Sequence, residues 1–243
     1  MELTVLGCSG SYPGSDCACS GYVISHDHTN VLVDFGPGCL ANLQKHFPLD
    51  SVAGVVLSHS HADHWSDLAV FHVAGRYQYA FENLPVYGTQ ETLAIAQLMP
   101  GNLEPTFAWE VIGDGAAFSI GPFQFHTEQT DHYVETMAMR IDCYEGPSIF
   151  YSADTGPEWS ANRLAHNVDL AIIESTYETD DDVAEIKHLS ATMAGEMGRA
   201  VGAKRLLLTH FWPGTDRVKH FANGSAAYGA DVELAYDNLR MTV

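Results

Sequence analysis

Leu57-Ser-His-Ser-His-Ala-Asp-His-Trp65 is the stretch that decides how this chain folds. It places His59, His61, Asp63 and His64 directly after the apolar run Val52-Ala-Gly-Val-Val-Leu57. A short apolar run bounded by turn signals reads as a strand buried on both faces. The four ligand-type side chains therefore leave the carboxyl end of a core strand, where ligand sites form in open α/β sheets. A bent loop can aim His59 and His61 one way and Asp63 and His64 another, so that two neighbouring metal ions each take two ligands from one segment. Imidazole and carboxylate suit zinc, with manganese or iron as alternatives. A His-rich polar turn without metal is the plainer reading, but H-x-H-x-D-H after a buried strand has few purely structural uses.

A two-ion site needs further donors, and three more follow strand-like runs. Asp154 follows Ile149-Phe-Tyr-Ser-Ala153 and could bridge two ions ~3.5–4 Å apart. His210 follows Leu206-Leu-Leu-Thr209. His132 lies in the loop Thr130-Asp-His-Tyr133, whereas its competitor His126 falls inside an alternating strand pattern, so His132 is preferred. Asp34 ends the run Val31-Leu-Val-Asp-Phe35 ahead of Gly36-Pro-Gly38, and is expected to bond a neighbouring loop rather than a metal. Between the first two strands, Gly7-Cys-Ser-Gly-Ser-Tyr-Pro-Gly14 reads either as an ordinary turn or as a source of backbone N–H groups for phosphate.

Periodicity predicts strands over 2–6, 21–25, 31–35, 85–87, 106–112, 117–120, 123–127, 136–141, 148–151, 170–173, 205–208, 232–234 and 239–242. Helices are predicted over 39–47, 66–79 (capped by Ser66 or Asp67), 89–98 (stopped by Pro100-Gly101), 159–165, 190–201 (capped by Ser190) and 215–228. This order suggests an α/β protein with two sheets packed face to face and helices outside, a four-layer αββα sandwich. There is no short repeat, low-complexity tract or Pro/Gly/Ser-rich linker, so residues 1–243 read as one domain.

Bulk properties narrow the function. The chain is 46 % hydrophobic, enough for a sizeable core. No apolar segment reaches the ~18 residues of a membrane span. Met1-Glu-Leu-Thr-Val-Leu-Gly7 has neither the basic nor the apolar region of a signal peptide, and the expectation is a cytoplasmic protein with no membrane partner. Cys8, Cys17, Cys19, Cys39 and Cys143 are an odd number without disulfide-like spacing and read as reduced thiols. Cys17-Ala-Cys19 alone is a weak metal signal. With 31 acids against 11 bases the net charge is −20. That disfavours a nucleic-acid partner, which needs Lys and Arg against its phosphates, and favours a small anionic substrate.

With these residues the chain resembles the metallo-β-lactamase superfamily, and within it the tRNase Z-like phosphodiesterases. Beyond H-x-H-x-D-H, the resemblance rests on Val31-Leu-Val-Asp-Phe-Gly36, Tyr151-Ser-Ala-Asp-Thr155, Asp169-Leu-Ala-Ile-Ile-Glu-Ser-Thr-Tyr177, His188-Leu-Ser190 and Leu208-Thr-His-Phe211. It implies the metallo-β-lactamase sandwich. It also implies that His59, His61 and His132 hold one metal, that Asp63, His64 and His210 hold the other, and that Asp154 touches both. Ile173-Glu-Ser-Thr176 looks like the family's His-Glu-Ala-Thr motif with Ile173 in place of the histidine. Glu174 stays in register, and His188 matches the histidine that helps protonate the leaving group. The plainer reading makes His188 a helix-start surface residue and Glu174 a strand-end cap.

Full tRNase Z enzymes carry a long arm between the third-motif histidine and the bridging Asp. Only two strands and a turn fit between His132 and Asp154, which points to armless relatives acting on small or cyclic phosphodiesters. Leu6-Gly-Cys-Ser-Gly-Ser11 with Ser20-Gly-Tyr22 looks like an actinobacterial group of cyclic-nucleotide phosphodiesterases. The implied enzyme uses a dinuclear-metal hydroxide, with Asp63, His188 and Glu174 as catalytic residues and two zinc ions as cofactors. The rival functions are tRNA 3′-end processing, hydrolysis of a thioester or other non-phosphate bond, a non-catalytic metal protein, and a redox iron site. The superfamily's relatives are often homodimers. Trp65, His72, Arg76, Tyr77 and Tyr79 are candidates for the pocket wall, although aromatics at that spacing are more often core.

Overall fold

In the computed structural model, which describes residues 1–98, 102–180 and 186–243, the order begins β1 (Glu2–Gly7), β2 (Gly21–His26), β3 (Thr29–Phe35), α1 (Cys39–His46) and β4 (Val52–Val56). It continues with α2 (Ala62–Trp65), α3 (Asp67–Ala74), β5 (Leu84–Gly88), α4 (Gln90–Ala96), β6 (Phe107–Val111), β7 (Ala117–Ile120) and β8 (Phe123–Gln129). β9 (Met137–Cys143), β10 (Ser148–Tyr151), β11 (Leu170–Glu174), α5 (Ala191–Ala200), β12 (Arg205–Thr209), α6 (Arg217–Tyr228), β13 (Glu233–Leu234) and β14 (Arg240–Thr242) complete it.

The strands form two seven-stranded sheets, ordered β14-β1-β2-β3-β4-β5-β6 and β13-β12-β11-β10-β9-β8-β7. Each is mixed. Antiparallel pairs join β14 through β3 and β7 through β10; parallel pairs join β3 through β6 and β10 through β13. The pleat explains the layers. In β2 and β3, Tyr22, Ile24, Val31 and Val33 enter the core between the sheets, while Val23 and Leu32 face the other way. Those outward residues pack with Cys39 and Leu43 of α1, Leu68 and Phe71 of α3 and Ala96 of α4. On the far side α5 and α6 cover the second sheet, with Leu206 of β12 against Gly198 of α5 and Leu208 against Gly224 of α6. The metallo-β-lactamase αββα sandwich is therefore the observed architecture.

Two helical expectations need correction. The helix read over 66–79 is two pieces, α3 and a π-turn over Gly75–Tyr79, with α2 running into it from residue 62. Ser66 makes no side-chain cap; it keeps helical dihedrals and lets the ligand-bearing α2 run into α3. Asp67 instead accepts the Leu40 N–H at 2.7 Å, tying α1 to α3. The helix read over 159–165 is a single 3₁₀ turn, Ala161–Arg163, because Ser160 is extended and Trp159 is drawn onto the Phe150 ring. The Ser190 cap is present, its hydroxyl accepting from Met193 N–H at 3.1 Å. The expected stop at Pro100-Gly101 lies outside the described residues, and no helix among the described residues is long and apolar enough to cross a membrane.

Candidate metal centre

The functional candidates gather at the carboxyl ends of β4, β8, β10, β11 and β12. Asp34, Ala153 and His210 turn sharply there through the left-handed region, with φ of 54°, 51° and 56°. Such conformations cost free energy in non-glycine residues and persist where surrounding structure imposes them, commonly at functional sites. Glycine makes the tightest approach possible: a Cβ on Gly36 would stand 1.8 Å from the Asp63 carbonyl oxygen.

Two groups of donors face a common carboxylate. His59 Nε2 and His132 Nε2 each lie 3.1 Å from His61 Nδ1, and they lie 3.6 and 3.7 Å from Asp154 Oδ2. On the other side, His64 Nε2 and His210 Nε2 are 3.2 Å apart, each 3.3 Å from Asp154 Oδ1. Asp63 Oδ2 stands 3.3 Å from His210 Nε2 and 3.5 Å from His64 Nε2. Asp154 thus presents one oxygen to each group, in the manner of a bridging ligand. All seven residues named from the sequence come together, whereas His126 lies on β8 opposite Ala117 and Arg140.

Second contacts aim the rings. His64 Nδ1 donates to Asp34 Oδ2 at 2.7 Å, and Asp34 also accepts from Ser58 N–H, the Ser58 hydroxyl and the Tyr151 hydroxyl. Since the Ser58 hydroxyl donates to Asp34, it accepts from His59 Nδ1 at 2.9 Å. His132 Nδ1 donates to the Lys187 carbonyl at 3.0 Å and His210 Nδ1 to Thr176 Oγ1 at 2.9 Å. With Nδ1 carrying the proton, Nε2 of His59, His64, His132 and His210 turns a lone pair inward; the tautomers are inferred from these partners. Asp34 serves as expected, as an anchor rather than a donor. The glycine- and serine-rich loop is an anchor too, since Ser11 N–H donates to Asp63 Oδ2 at 2.7 Å.

The residues fit divalent cations on three counts. Asp154 Oδ1 is buried and, among the described residues, has no hydrogen-bond partner. Burial holds His59 and His61 below the usual imidazole range and His132 at about 4, so these rings are neutral ligands at neutral pH. Burial also disfavours charge on His64, yet Asp154, Asp63 and Asp34 together pull its proton affinity up, a concentration of buried negative charge that cations would offset. Burial opposes ionisation of Asp63 and Asp154 too, but the surrounding His64 and His210 hold both carboxyls well below the usual range.

Beside the two groups stands His188. Its Nδ1 donates to Glu174 Oε1 at 3.0 Å, and Glu174 is further fixed by Thr155 N–H, Leu189 N–H and the Thr176 hydroxyl. The His188 ring lies against His132 and His210, with centroids 5.1 and 5.4 Å away. Burial would lower its pKa, but the Glu174 carboxylate outweighs that and raises it to about 9. His188 is buried and faces the cluster, so the surface reading falls.

Among the pocket-wall candidates, Trp65 and His72 follow the commoner core reading. Trp65 is core, its Nε1–H donating to the Ser60 carbonyl, and His72 packs on Phe107; Tyr77 and Tyr79 are exposed on the π-turn and Arg76 reaches the Asn102 carbonyl. The exposed aromatics next to the site are Tyr12, one residue after Ser11; Tyr133, edge-on to His132; and Trp212, two residues after His210 and flanked by Tyr12 and Tyr177. Their adjacency to ligand-type residues is visible in the sequence, where helical spacing points to the wrong aromatics.

A family model described as a beta-lactamase superfamily domain matches residues 29–211. An uncharacterized protein of Mycobacterium tuberculosis is 34 % identical over 242 residues, 96 % of this chain and 88 % of that protein. YhfI of Bacillus subtilis, a probable metallo-hydrolase, is 31 % identical over 221 residues, 86 % of each. The crystal structure of YhfI, described as a metallo-beta-lactamase fold protein, superposes with a TM-score of 0.91 at 27 % identity, covering 99 % of this chain and 98 % of that one. The short form of human tRNase Z superposes with a TM-score of 0.80 at 20 % identity, covering 100 % and 99 %, a likeness of fold. Between His132 and Asp154 this chain has β9, a turn and β10.

Proposed function

From the metallo-β-lactamase superfamily, to which this chain belongs as a metallo-hydrolase, we propose a phosphodiesterase acting on a small or cyclic phosphodiester, with a cyclic nucleotide as the leading substrate. One observation carries the reading: the His188–Glu174 pair stands against the two donor groups, with His188, His210 and Asp154 ligand atoms all within 4.8 Å of one another. A thiolate leaves a thioester unaided, whereas an alkoxide leaving from phosphate needs a proton, and His188 is placed to give one.

His59, His61, His132 and Asp154 would hold one ion and Asp63, His64, His210 and Asp154 the other, with zinc favoured by the donor set and manganese or iron as alternatives. When bound, two such cations lower the pKa of a water and neutralise charge on the phosphate oxygens. Asp63, fixed by the Ser11 N–H, would steer the attacking water or take its proton. His188, its Nδ1 held by Glu174, gives its Nε2 proton to the departing oxygen, a contribution of ~10²–10⁴-fold. In a cyclic diester that oxygen stays on the product, so ring opening still requires the proton. The acidic balance and the short span between His132 and Asp154 argue against a tRNA substrate.

The test is metal analysis of the purified protein beside hydrolysis of cyclic AMP and of a p-nitrophenyl diester, with Asp154→Ala as control. Two ions per chain and turnover of both, lost in the variant, is the expected outcome. Bound metal with no turnover of either diester, or efficient cleavage of a pre-tRNA at physiological salt, would overturn the assignment.

A further inference from the structure

The loop leaving β1 carries three cysteines that the hydrolytic site does not use, Cys8, Cys17 and Cys19, and two of them stand together. Cys8 Sγ lies 3.6 Å from Cys17 Sγ. The backbone holds them together: Cys8 N–H and Ser9 N–H both donate to the Ala18 carbonyl, at 3.0 and 2.9 Å. Phe211 N–H, next to His210, donates to the Cys8 carbonyl at 2.9 Å. Between the two cysteines sit Gly10 and Ser11. A Cβ on Gly10 would stand 2.7 Å from His210 Nδ1, and Ser11 N–H holds Asp63. The segment closed by this thiol pair is therefore the one that packs against the candidate metal centre.

The thiols are unlike. Cys8 is fully buried, its Sγ also within 3.3 Å of the Ala235 carbonyl. Cys17 is half-buried and lines a surface hollow of about 450 Å³ with Pro13, Asp16 and Asn42. The hydrogen bond from Cys8 lowers the Cys17 pKa despite burial and the nearby Asp237, while the same contact and burial raise Cys8. That is the division between an attacking thiol and a resolving one. With Asp237 the pair also resembles a three-donor cation site. However, Asp237 Oδ2 is already taken by Ala18 N–H and Asn42 Nδ2–H, and the Arg217 guanidinium stands 3.9 Å from Cys8, where it repels a cation.

We propose that Cys8 and Cys17 form a reversible disulfide, closed by a peroxide, which sets the geometry of the loop holding Asp63 and His210. The Cys17 thiolate attacks the peroxide; an S–O bond forms, the O–O bond breaks and hydroxide leaves, giving a sulfenic acid. Cys8 sulfur then attacks Cys17 sulfur; the S–S bond forms, the S–O bond breaks, and the Cys8 proton departs with that hydroxide as water. The sulfur pair loses two electrons and the peroxide gains them. Closure brings the sulfurs from 3.6 Å to bonding distance, ~2.05 Å. A dithiol reverses it by exchange.

The metal-loaded protein is treated with hydrogen peroxide, quenched, denatured and assayed for thiols and non-reduced peptides. Of the five thiols, two are expected to disappear into a Cys8–Cys17 cross-link that dithiothreitol reverses. Cys8→Ser leaves a sulfenic acid at Cys17 that dimedone traps. Hydrolysis of a p-nitrophenyl diester falls about tenfold or more with the cross-link, on the scale of losing a shell that orients metal ligands, while Cys17→Ser keeps its activity through the same treatment. Five surviving thiols, a Cys17–Cys19 bond, sulfinic acid without a cross-link, unaltered hydrolysis by cross-linked protein, or an extra metal ion lost in Cys17→Ser would each overturn the proposal. The thiol and peptide readouts stand whether or not the substrate assignment holds.

Discussion

The two donor groups share Asp154 but are built differently. The group of Asp63, His64 and His210 is enclosed: His64 backs onto Asp34, His210 onto Thr176 and Glu174, and Asp63 onto the Ser11 amide. The group of His59, His61 and His132 is more open: His61 is half-buried, and the His132 ring rests on the Lys187 backbone carbonyl rather than on an anionic side chain. A donor held by a buried carboxylate is a stronger, better-oriented ligand than one held by a carbonyl. The enclosed group should therefore be the tighter ion site, and the open one the place where substrate arrives.

Asp154→Ala is the largest way to break that comparison, because it removes the one residue common to both groups. We expect diester hydrolysis to fall by about 10⁴-fold or more and metal content to drop at both groups, measured by elemental analysis on the folded variant. Retention of two ions would show that the groups do not depend on a shared carboxylate.

Asp34→Ala strikes the enclosed side directly, through His64, and the open side only at one remove, through Ser58 and His59. It leaves the Ser58 N–H and hydroxyl, the His64 Nδ1 proton and the Tyr151 hydroxyl without their acceptor, all buried. A destabilisation of ~3–5 kcal/mol is expected in urea unfolding, with one ion lost. His61→Ala should lose one ion as well but leave unfolding nearly unchanged. Equal stability losses in the two variants would erase the distinction between the groups.

How much of this was legible in the sequence differs between the same two regions. His59, His61, Asp63 and His64 are contiguous, so their spacing after a buried run was enough to read them. His132, Asp154 and His210 are scattered, yet each follows a strand-like run, and strand termini are countable without knowing the fold. The His188–Glu174 pair depended on resemblance, since nothing local says that a helix-start histidine turns inward onto a carboxylate 14 positions away. What failed were signals decided by tertiary packing. Ser66 looks like a cap but is helical, and Trp159 looks helical but is pulled onto Phe150. The part played by the Ser11 amide was invisible because it depends on a side chain 52 residues along the chain.

His188 touches both groups, edge-on to His132 and stacked on His210, and its removal tests the chemistry rather than the binding. His188→Ala is expected to slow hydrolysis of cyclic AMP by ~10²–10⁴-fold and to slow a p-nitrophenyl diester far less, since that leaving group departs without a proton. Metal content should stay at the wild-type value. Equal losses on both substrates would remove the acid role.

The smallest and most discriminating comparison sets Thr176→Val against Ser58→Ala. Thr176 Oγ1 donates to Glu174 Oε2 at 2.6 Å and accepts from His210 Nδ1 at 2.9 Å, so its loss frees the ring of an enclosed ligand. Ser58 Oγ plays the same part for His59, linking it to Asp34 through contacts of 2.9 and 2.8 Å, and its loss frees a ring of the open group. Both substitutions are near in volume and leave every ligand atom in place, so any change in affinity reports orientation alone. Each should weaken one ion by ~10–100-fold. In chelator competition Thr176→Val should convert the tightly held ion into a second weak one, whereas Ser58→Ala should leave the tight phase intact and shift only the weak phase. If both variants shift the same phase, the two groups bind as a single unit, and the asymmetry of their surroundings has no consequence for the metals.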